Sequence, residues 1–369
     1  MDYPQPVKTA GQPRILVVPL DWGLGHATRC IPVVYELVKQ GAEVWLAGEG
    51  MQETLLKKEF PALPFLGLDG YRVKYGNTPA SILKNLLFRT PALLQQIKNE
   101  HKWLKKMVAQ YQFDAVISDN RFGLYHPAIP SVFITHQLNI KSPLGKWSET
   151  FLQKINYRYI NRFTECWIPD EKNETNLAGE LSHPSQLPAI PVNYIGLLSR
   201  LKRNNISEKK NHLFISLSGP EPQRTILENL IIKEIAHYKG TATIVRGVPG
   251  AAKLIPSTND IRFYNHLSSE EYSREMEIAE YVISRSGYST VMDIAALGKK
   301  SILIPTPGQT EQEYLAEYLM NKNITLSVSQ DHFVLADALQ KASEMKYKTI
   351  NVINDSSLSS VVSSLLADL

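Results

Sequence analysis

His26 closes the run Asp21-Trp-Gly-Leu-Gly-His-Ala-Thr-Arg29, just after a short hydrophobic segment. An imidazole titrates near neutral pH and can take a proton from a hydroxyl. Gly23 and Gly25 let main-chain N–H groups come close to an anion or an acceptor group. A histidine at a helix start can also merely cap or pack. A second polar cluster, Ile117-Ser-Asp-Asn-Arg-Phe-Gly123, ends another hydrophobic segment. Asp119 there could accept the second ring N–H of His26 and fix its tautomer, or close the strand in an Asx-turn. Asn120 and Arg121 beside it are candidates to bind whatever gives up the proton. Thr135-His-Gln-Leu-Asn139 offers His136 and Gln137 at the same edge, His136 as a second base, a binding group or a buried, satisfied histidine.

The second half carries different chemistry. Ser218 and Gly219, in Ser216-Leu-Ser-Gly-Pro220, form a small-residue turn before a helix, suited to phosphate contact through main-chain N–H. Ile283-Ser-Arg-Ser-Gly-Tyr-Ser-Thr-Val-Met-Asp293 crowds Ser286, Gly287, Ser289 and Thr290 at a helix N-terminus, whose partial positive charge favours a diphosphate. Asp293, further along that helix, could accept both hydroxyls of a ribose or be a solvated helix acid. In Ile304-Pro-Thr-Pro-Gly-Gln-Thr-Glu-Gln-Glu313, Gln312 and Glu313 can hydrogen-bond sugar hydroxyls, or the stretch is an ordinary helix capped by Thr310.

Elements must exist to position these groups. The chain has 369 residues, 43% hydrophobic and 21% charged, enough for two globular domains. Short β-branched runs alternate with helical patterns. Arg14–Leu20, Glu43–Ala47, Asp114–Ser118, Val132–Thr135, Cys166–Pro169 and Val192–Ile195 read as strands, with a helix over His26–Lys39. The rhythm restarts at Leu213–Leu217, with strands at Thr243–Arg246, Ile261–Tyr264, Tyr281–Ser284 and Ser301–Pro305. The expected class is α/β with two doubly wound parallel sheets. Residues 1–196 form the first domain and 197–369 the second. The polar stretch Ser199–Asn211 reads as linker or loop, and the last helix, Ser356–Leu366, is a candidate to return to the first domain. Ligands of such sheets bind beyond the carboxyl ends of strands, where every motif above falls.

Two cysteines cannot build a disulfide framework or a four-cysteine zinc site. No His or Cys cluster has metal-ligand spacing and no Asp-x-Asp occurs, so no metal is expected. No leader and no apolar run near 18–20 residues is present, so the expected location is cytoplasmic, with no transmembrane segment. A net charge of +4 does not call for nucleic acid. The first 160 residues nevertheless carry seven more Lys and Arg than Asp and Glu. The excess is densest over residues 70–110, with Arg72, Lys74, Lys84, Arg89, Lys98, Lys102, Lys105 and Lys106 among Leu83, Leu86, Leu87, Phe88, Leu93, Leu94, Ile97, Trp103 and Leu104. Cations beside large apolar residues suit an anionic membrane face; a core helix with a solvated lysine face is the other reading.

Taken together, these residues resemble GT-B glycosyltransferases of the MurG type, glycosyltransferase family 28. Ser284-Arg-Ser-Gly-Tyr-Ser-Thr-Val-Met-Asp-Ile-Ala-Ala-Leu-Gly298 is similar to that family's donor motif, and Gly308–Glu313, with Gln309, to the amide-rich motif after it. The resemblance implies two Rossmann-like domains with a cleft between them, the second holding a UDP-sugar and the first an acceptor. It implies that Ser286, Gly287 and Ser289 face the diphosphate, Asp293 the ribose, His266 and Leu267 the uracil, and Gln312 and Glu313 the sugar, with Arg285 and Thr290 as further donor-binding candidates. Ser218 and Gly219 would be the glycine loop and His26 the base. Glu313 stands where the family has a second amide, and Ala316 where asparagine is common. The expected activity is inverting, metal-independent transfer of a hexose or N-acetylhexosamine from UDP to an acceptor hydroxyl, the acceptor lipid-linked or near the membrane, with the enzyme peripheral to the inner membrane. The His26 and Asp119 spacing also resembles the His–Asp pair of plant UDP-dependent glycosyltransferases. Gly23-Leu-Gly-His-Ala-Thr-Arg-Cys30 is similar to the loop of the UDP-sugar hydrolase of pseudaminic acid synthesis, which directs water to the anomeric carbon. Hydrolysis, or nucleotide-sugar binding without turnover, are therefore the competing readings.

Overall fold

A computed structural model describes residues 11–71, 79–248, 251–348, 350 and 356–369, with the backbone alone for residues 79–90 and 356. The chain divides into two compact units. One comprises residues 1–176, 180–198 and 353–369, the other 177–179 and 199–352.

The first unit is a seven-stranded parallel sheet. In chain order its strands are β1 (Arg14–Pro19), β2 (Glu43–Gly48), β3 (Phe65–Gly67), β4 (Ala115–Asp119), β5 (Ser131–Ile134), β6 (Glu165–Ile168) and β7 (Val192–Tyr194). Their order in space is β3-β2-β1-β4-β5-β6-β7. Helices α1 (Leu24–Lys39), α2 (Gly50–Glu59), α3 (Pro79–Tyr111) and α4 (Lys146–Ile160) connect them. The strands are buried on both faces; Ile15, Leu16, Val17 and Val18 of β1 expose nothing, which is why they read as unbroken apolar runs rather than alternations. At ~1.5–3 kcal/mol for each large aliphatic side chain removed from water, β1 alone is a major contributor to this core.

The second unit repeats the plan. β8 (Lys209–Ser216), α5 (Gln223–Ile235), β9 (Thr241–Val245), β10 (Ile261–Tyr264), α6 (Ser269–Ile278), β11 (Ala279–Ser284), α7 (Tyr288–Leu297), β12 (Ser301–Leu303), α8 (Thr310–Asn321), β13 (Leu326–Ser327) and α9 (Leu335–Glu344) follow one another. The sheet order is β10-β9-β8-β11-β12-β13, all parallel. A final helix, α10 (Ser356–Ala367), packs on α1 in the first unit, where the Gln40 amide donates to the Ser359 carbonyl at 3.0 Å and the Ser363 hydroxyl donates to Gln40 Oε1 at 2.8 Å. Both sheets are doubly wound, so each has a switch point where its strand order reverses: between β1 and β4, and between β8 and β11.

Two sequence expectations change, and the two readings of the basic stretch divide along α3. Lys209–Asn211, read as linker, opens β8, because parallel pairing with β11 outweighs its charged composition. Leu24 and Gly25 already belong to α1, so that helix begins two residues before His26. In the basic stretch, Ile97, Leu104, Met107 and Tyr111 of α3 are buried, and Trp103 packs on the same core. Lys98, Lys102, Lys105 and Lys106 are exposed on that helix, and so are Leu93 and Leu94. Arg72 and Lys74, and the side chains of Leu83, Lys84, Leu86, Leu87, Phe88 and Arg89, lie outside the described residues. Among the described residues no helix is long and apolar enough to cross a membrane.

Candidate active site

The β1–β4 switch point assembles the first cluster. Pro19 and Asp119 are register partners at the carboxyl ends of adjacent strands. Gly23, at φ +79°, turns the chain from β1 into α1 in a conformation that side chains rarely adopt. Gln52 of α2 fastens this turn, its amide donating to the carbonyls of Leu20 and Gly23. The third helical residue, His26, then brings Nδ1 within 2.9 Å of Asp119 Oδ2. Asp119 is fully buried, while His26 keeps 15% of its side chain exposed.

Arg29, a residue to which the sequence reading gave no role, completes the cluster. It lies one helical turn beyond His26, on the same face of α1, and is almost wholly buried. Its Nε lies 2.9 and 3.0 Å from the two oxygens of Asp119, and its Nη2 also donates to Oδ1. The same Nη2 sits 2.8 Å from His26 Nδ1, and Nη1 3.2 Å from His136 Nδ1. One ring nitrogen cannot both donate to the carboxylate and accept from the guanidinium. The proton on Nδ1 therefore depends on how strongly Arg29 holds Asp119.

The electrostatics follow from that contest. Burial pushes the His26 imidazole below its ordinary 6.5 and the Arg29 charge adds to this, while Asp119 opposes both. Burial pushes the Asp119 carboxyl up, but Arg29 and then His26 outweigh it and hold it below the usual range. At neutral pH His26 is thus an uncharged imidazole beside a carboxylate. With Nδ1–H donated to Asp119, Nε2 keeps a lone pair for a substrate proton.

The neighbouring candidates divide. His136 is buried and holds Arg29, which makes it a support for the cluster. Gln137 is partly exposed beside it, its carbonyl accepting from Asn156 of α4 at 2.8 Å. Asn120 adopts φ +57° and ends β4, its N–H donating to the Ile134 carbonyl. Gly25 lies in the first turn of α1, its carbonyl accepting from the Thr28 hydroxyl. Arg121 corrects its expectation. It is fully buried, pairs with Glu100 at 2.7 Å and donates to the carbonyls of Pro19 and Asp69, so it braces the core instead of meeting an acceptor. A cavity of about 400 Å³ opens beyond β2 and β3, lined by Glu49, Asp69, Gln96, Asn99 and Trp103 among others.

In the second unit Ser216 and Ser284 are register partners at the β8–β11 switch point. The loops after these strands carry Ser218, Gly219 and the start of α7. Gly219 is exposed at φ +110°. Gly287 caps α7 without a side-chain hydrogen bond, and Ser289 and Thr290 are partly exposed in its first turn. Asp293 is partly exposed one turn on, where Ser199 Oγ donates to it at 2.6 Å. Burial pushes its carboxyl up to about 6, against Ser199 and Arg200. His266 is partly exposed after β10, while the Leu267 side chain is buried. Gln309 is partly exposed and Glu313 exposed at the start of α8, and Glu313 accepts from the Gly308 N–H at 2.8 Å.

Three donor-side expectations are corrected here. Ser286 is fully buried and its hydroxyl donates to the Gln312 carbonyl at 2.7 Å. The Gln312 side chain is buried too, its Oε1 accepting from the Thr306 N–H. Arg285 is fully buried and donates to the carbonyls of Ile304, Pro305 and Gln223 and to Gln330 Oε1. Burial, with no opposing carboxylate, pushes it down to about 10. All three tie the β11, β12 and α5 loops together from within. Among the described residues no group of three or more His, Cys, Asp or Glu side chains could hold a metal ion.

Residues 258–362, which hold the α7 and α8 loops, match the glycosyltransferase family 28 C-terminal domain. A UDP-N-acetylglucosamine–N-acetylmuramyl-(pentapeptide) pyrophosphoryl-undecaprenol N-acetylglucosamine transferase of Haemophilus ducreyi is 25% identical over 349 residues, 88% of this chain and 90% of its own. The chain has the GT-B fold, with a family 28 C-terminal domain match in its second half. Solved structures agree on the fold. The crystal structure of MurG from Acinetobacter baumannii superposes with a TM-score of 0.57 at 13% identity, covering 97% of this chain and all of that one. SnogD, a glycosyltransferase of Streptomyces nogalater, gives 0.60 at 12% identity over 96% and 99% of the two chains. The expectations of a GT-B fold and of a family 28 resemblance therefore hold.

Proposed function

We propose that this glycosyltransferase moves a hexose or N-acetylhexosamine from a UDP-sugar to the hydroxyl of a lipid-linked acceptor, with inversion at the anomeric carbon. The family 28 domain in the second unit carries the donor reading, and the names of relatives such as the Haemophilus ducreyi enzyme support a lipid-linked acceptor.

The chemistry uses this chain's own groups. His26 Nε2 takes the acceptor's hydroxyl proton as that oxygen forms its bond to the anomeric carbon. The bond from that carbon to the β-phosphate oxygen breaks, and UDP leaves with the electron pair. Asp119 holds the Nδ1 proton and stabilises the imidazolium that forms. Growing charge on the diphosphate is met by the N-terminus of α7 and the main chain at Ser218 and Gly219. Asp293 accepts from the ribose hydroxyls.

A pH test isolates the Asp293 role. Its carboxyl ionises near pH 6, so UDP affinity should weaken as pH falls through that value. Hydrogen bonds to a charged acceptor contribute about 1.5–3 kcal/mol, so the loss should be about ten- to a hundredfold. Calorimetric titration of wild type and Asp293→Asn with UDP checks it, since phosphate titration is common to both. The variant should bind weakly throughout without that added step; equal affinity and equal pH dependence in both proteins would remove Asp293 from the site.

The enzyme reading itself is tested by measuring UDP release from UDP-sugars with and without acceptor. Slow release that accelerates on adding acceptor supports transfer, whereas fast release unaffected by acceptor indicates hydrolysis.

A further inference from the structure

We propose that the second unit carries a separate binding site for a small organic anion, a compact apolar body with one carboxylate or phosphate, at the amino edge of its sheet. A cavity of about 120 Å³ lies there, between the C-terminal half of α7 and the residues that lead into β13. Every residue lining it belongs to this one unit. The sequence motifs of this unit fall at the opposite, carboxyl edge of the strands. Helix α7 runs between the two edges: Ser289 and Thr290 lie in its first turn, while Ile294, Ala295 and Gly298 at its far end line the cavity. The site is therefore distinct from the candidate active site and does not depend on the donor reading.

Its walls are apolar. Leu177, Val291, Ile294, Ala295 and Ile324 line it, and all but Ile324 are buried. An apolar cavity of about 150 Å³ holds benzene, so this one suits a body of about five or six heavy atoms with its head group at the mouth.

Polar groups define that head. Thr325, a lining residue, is 1% exposed, and its hydroxyl oxygen has no hydrogen-bond partner among the described residues. The Ser301 hydroxyl is buried in the same condition. The pairing of Ile302 with Leu326 sets these two residues on neighbouring strands at the amino edge. Buried hydroxyls are ordinarily paired, so two without partners at one cavity point to a ligand that hydrogen-bonds there. Charge gives its sign. Lys300 and Lys348 line the cavity and are exposed. The acid among the described lining residues, Glu208, is engaged by Lys299 at 2.5 Å, and Lys299 also donates to the Glu277 carbonyl at 2.9 Å. Three lysines against one glutamate leave the cavity with a positive excess, which favours an anion.

Equilibrium dialysis and ligand-observed NMR with the full chain test this. The probes are benzoate and phenyl phosphate as anions, benzamide as a neutral counterpart and inorganic phosphate as a head group alone. At least one of the two organic anions should bind, and the tighter of them names the head group. Benzamide and inorganic phosphate should bind about tenfold more weakly or less. Lys300→Gln combined with Lys348→Gln should weaken binding about tenfold, Thr325→Val should weaken it comparably, and Ala295→Met, which fills the cavity, should abolish it. The lysine variant changes only exposed side chains, so its loss of binding reads the site and not the fold. Saturating UDP should leave the bound anion in place. Failure of both organic anions to bind, benzamide or inorganic phosphate binding as tightly as they do, lysine and Thr325→Val variants that bind as wild type does, or displacement by UDP would each overturn the proposal.

Discussion

Replacing His26 with alanine should lower kcat about 10²- to 10⁴-fold and leave UDP affinity unchanged. The size follows from losing proton transfer in the step that makes the glycosidic bond. The selectivity follows from placement: His26 lies in the first unit, at the end of β1, and the residues assigned to UDP lie in the second. Steady-state UDP release in the presence of acceptor, beside calorimetric UDP binding, reads both quantities. Wild-type turnover in the variant would remove His26 as the base. A matched loss of UDP affinity would mean that the substitution had disturbed the fold.

Arg29→Met should produce the second large effect, and of a different kind. Wild-type kcat/KM should be level near neutral pH and fall on the acid side with a midpoint below 6.5, because His26 acts when unprotonated and burial and then Arg29 depress its pKa. Removing Arg29 takes away a depressing charge and leaves Asp119 to raise the imidazole pKa, so the acid limb should move to higher pH and activity at neutral pH should drop. Breaking a buried ion pair also costs about 3–5 kcal/mol of stability, visible as a lower Tm. Arg29→Lys should restore the charge and return part of the pH profile, though not the paired contacts to Asp119. A purely structural Arg29 would lower activity and Tm with the acid limb unmoved, and that result would contradict its role in setting the base.

Much of the fold is legible in the sequence because its strands are buried on both faces. Runs such as Ile15 to Val18, or Leu213 to Ile215, have no polar partner for a period-two pattern and little other place to go than the middle of a parallel sheet. The short edge elements are less visible. β3 has three residues and β13 two, and their pairing is supplied by neighbours across the sheet. The helix α4 is hard to see in the sequence because KWSETFLQKINYRYI mixes apolar and charged residues, with aromatics on the solvent side and Asn156 within, the reverse of the usual amphipathic rule.

At the site, the types and spacing around His26 and Asp119 pointed to one edge, and their contact at 2.9 Å follows from β1 and β4 being neighbours. Arg29 was readable in principle, three residues after His26 on a helix, but its partner lies 90 positions away. Arg121, Arg285, Ser286 and Gln312 carry donors and acceptors in the right motifs, yet tertiary packing spends those groups internally. Sequence spacing places a residue at an edge; it does not show which way the side chain turns.

The most direct test is UDP release by the purified full chain across a panel of nucleotide-sugars, each with and without a lipid extract. UDP should be freed from at least one UDP-sugar, slowly alone and faster with the extract, with the sugar recovered on lipid. Failure of every UDP-sugar to turn over, together with no shift in Tm on adding UDP, would contradict the account at its root.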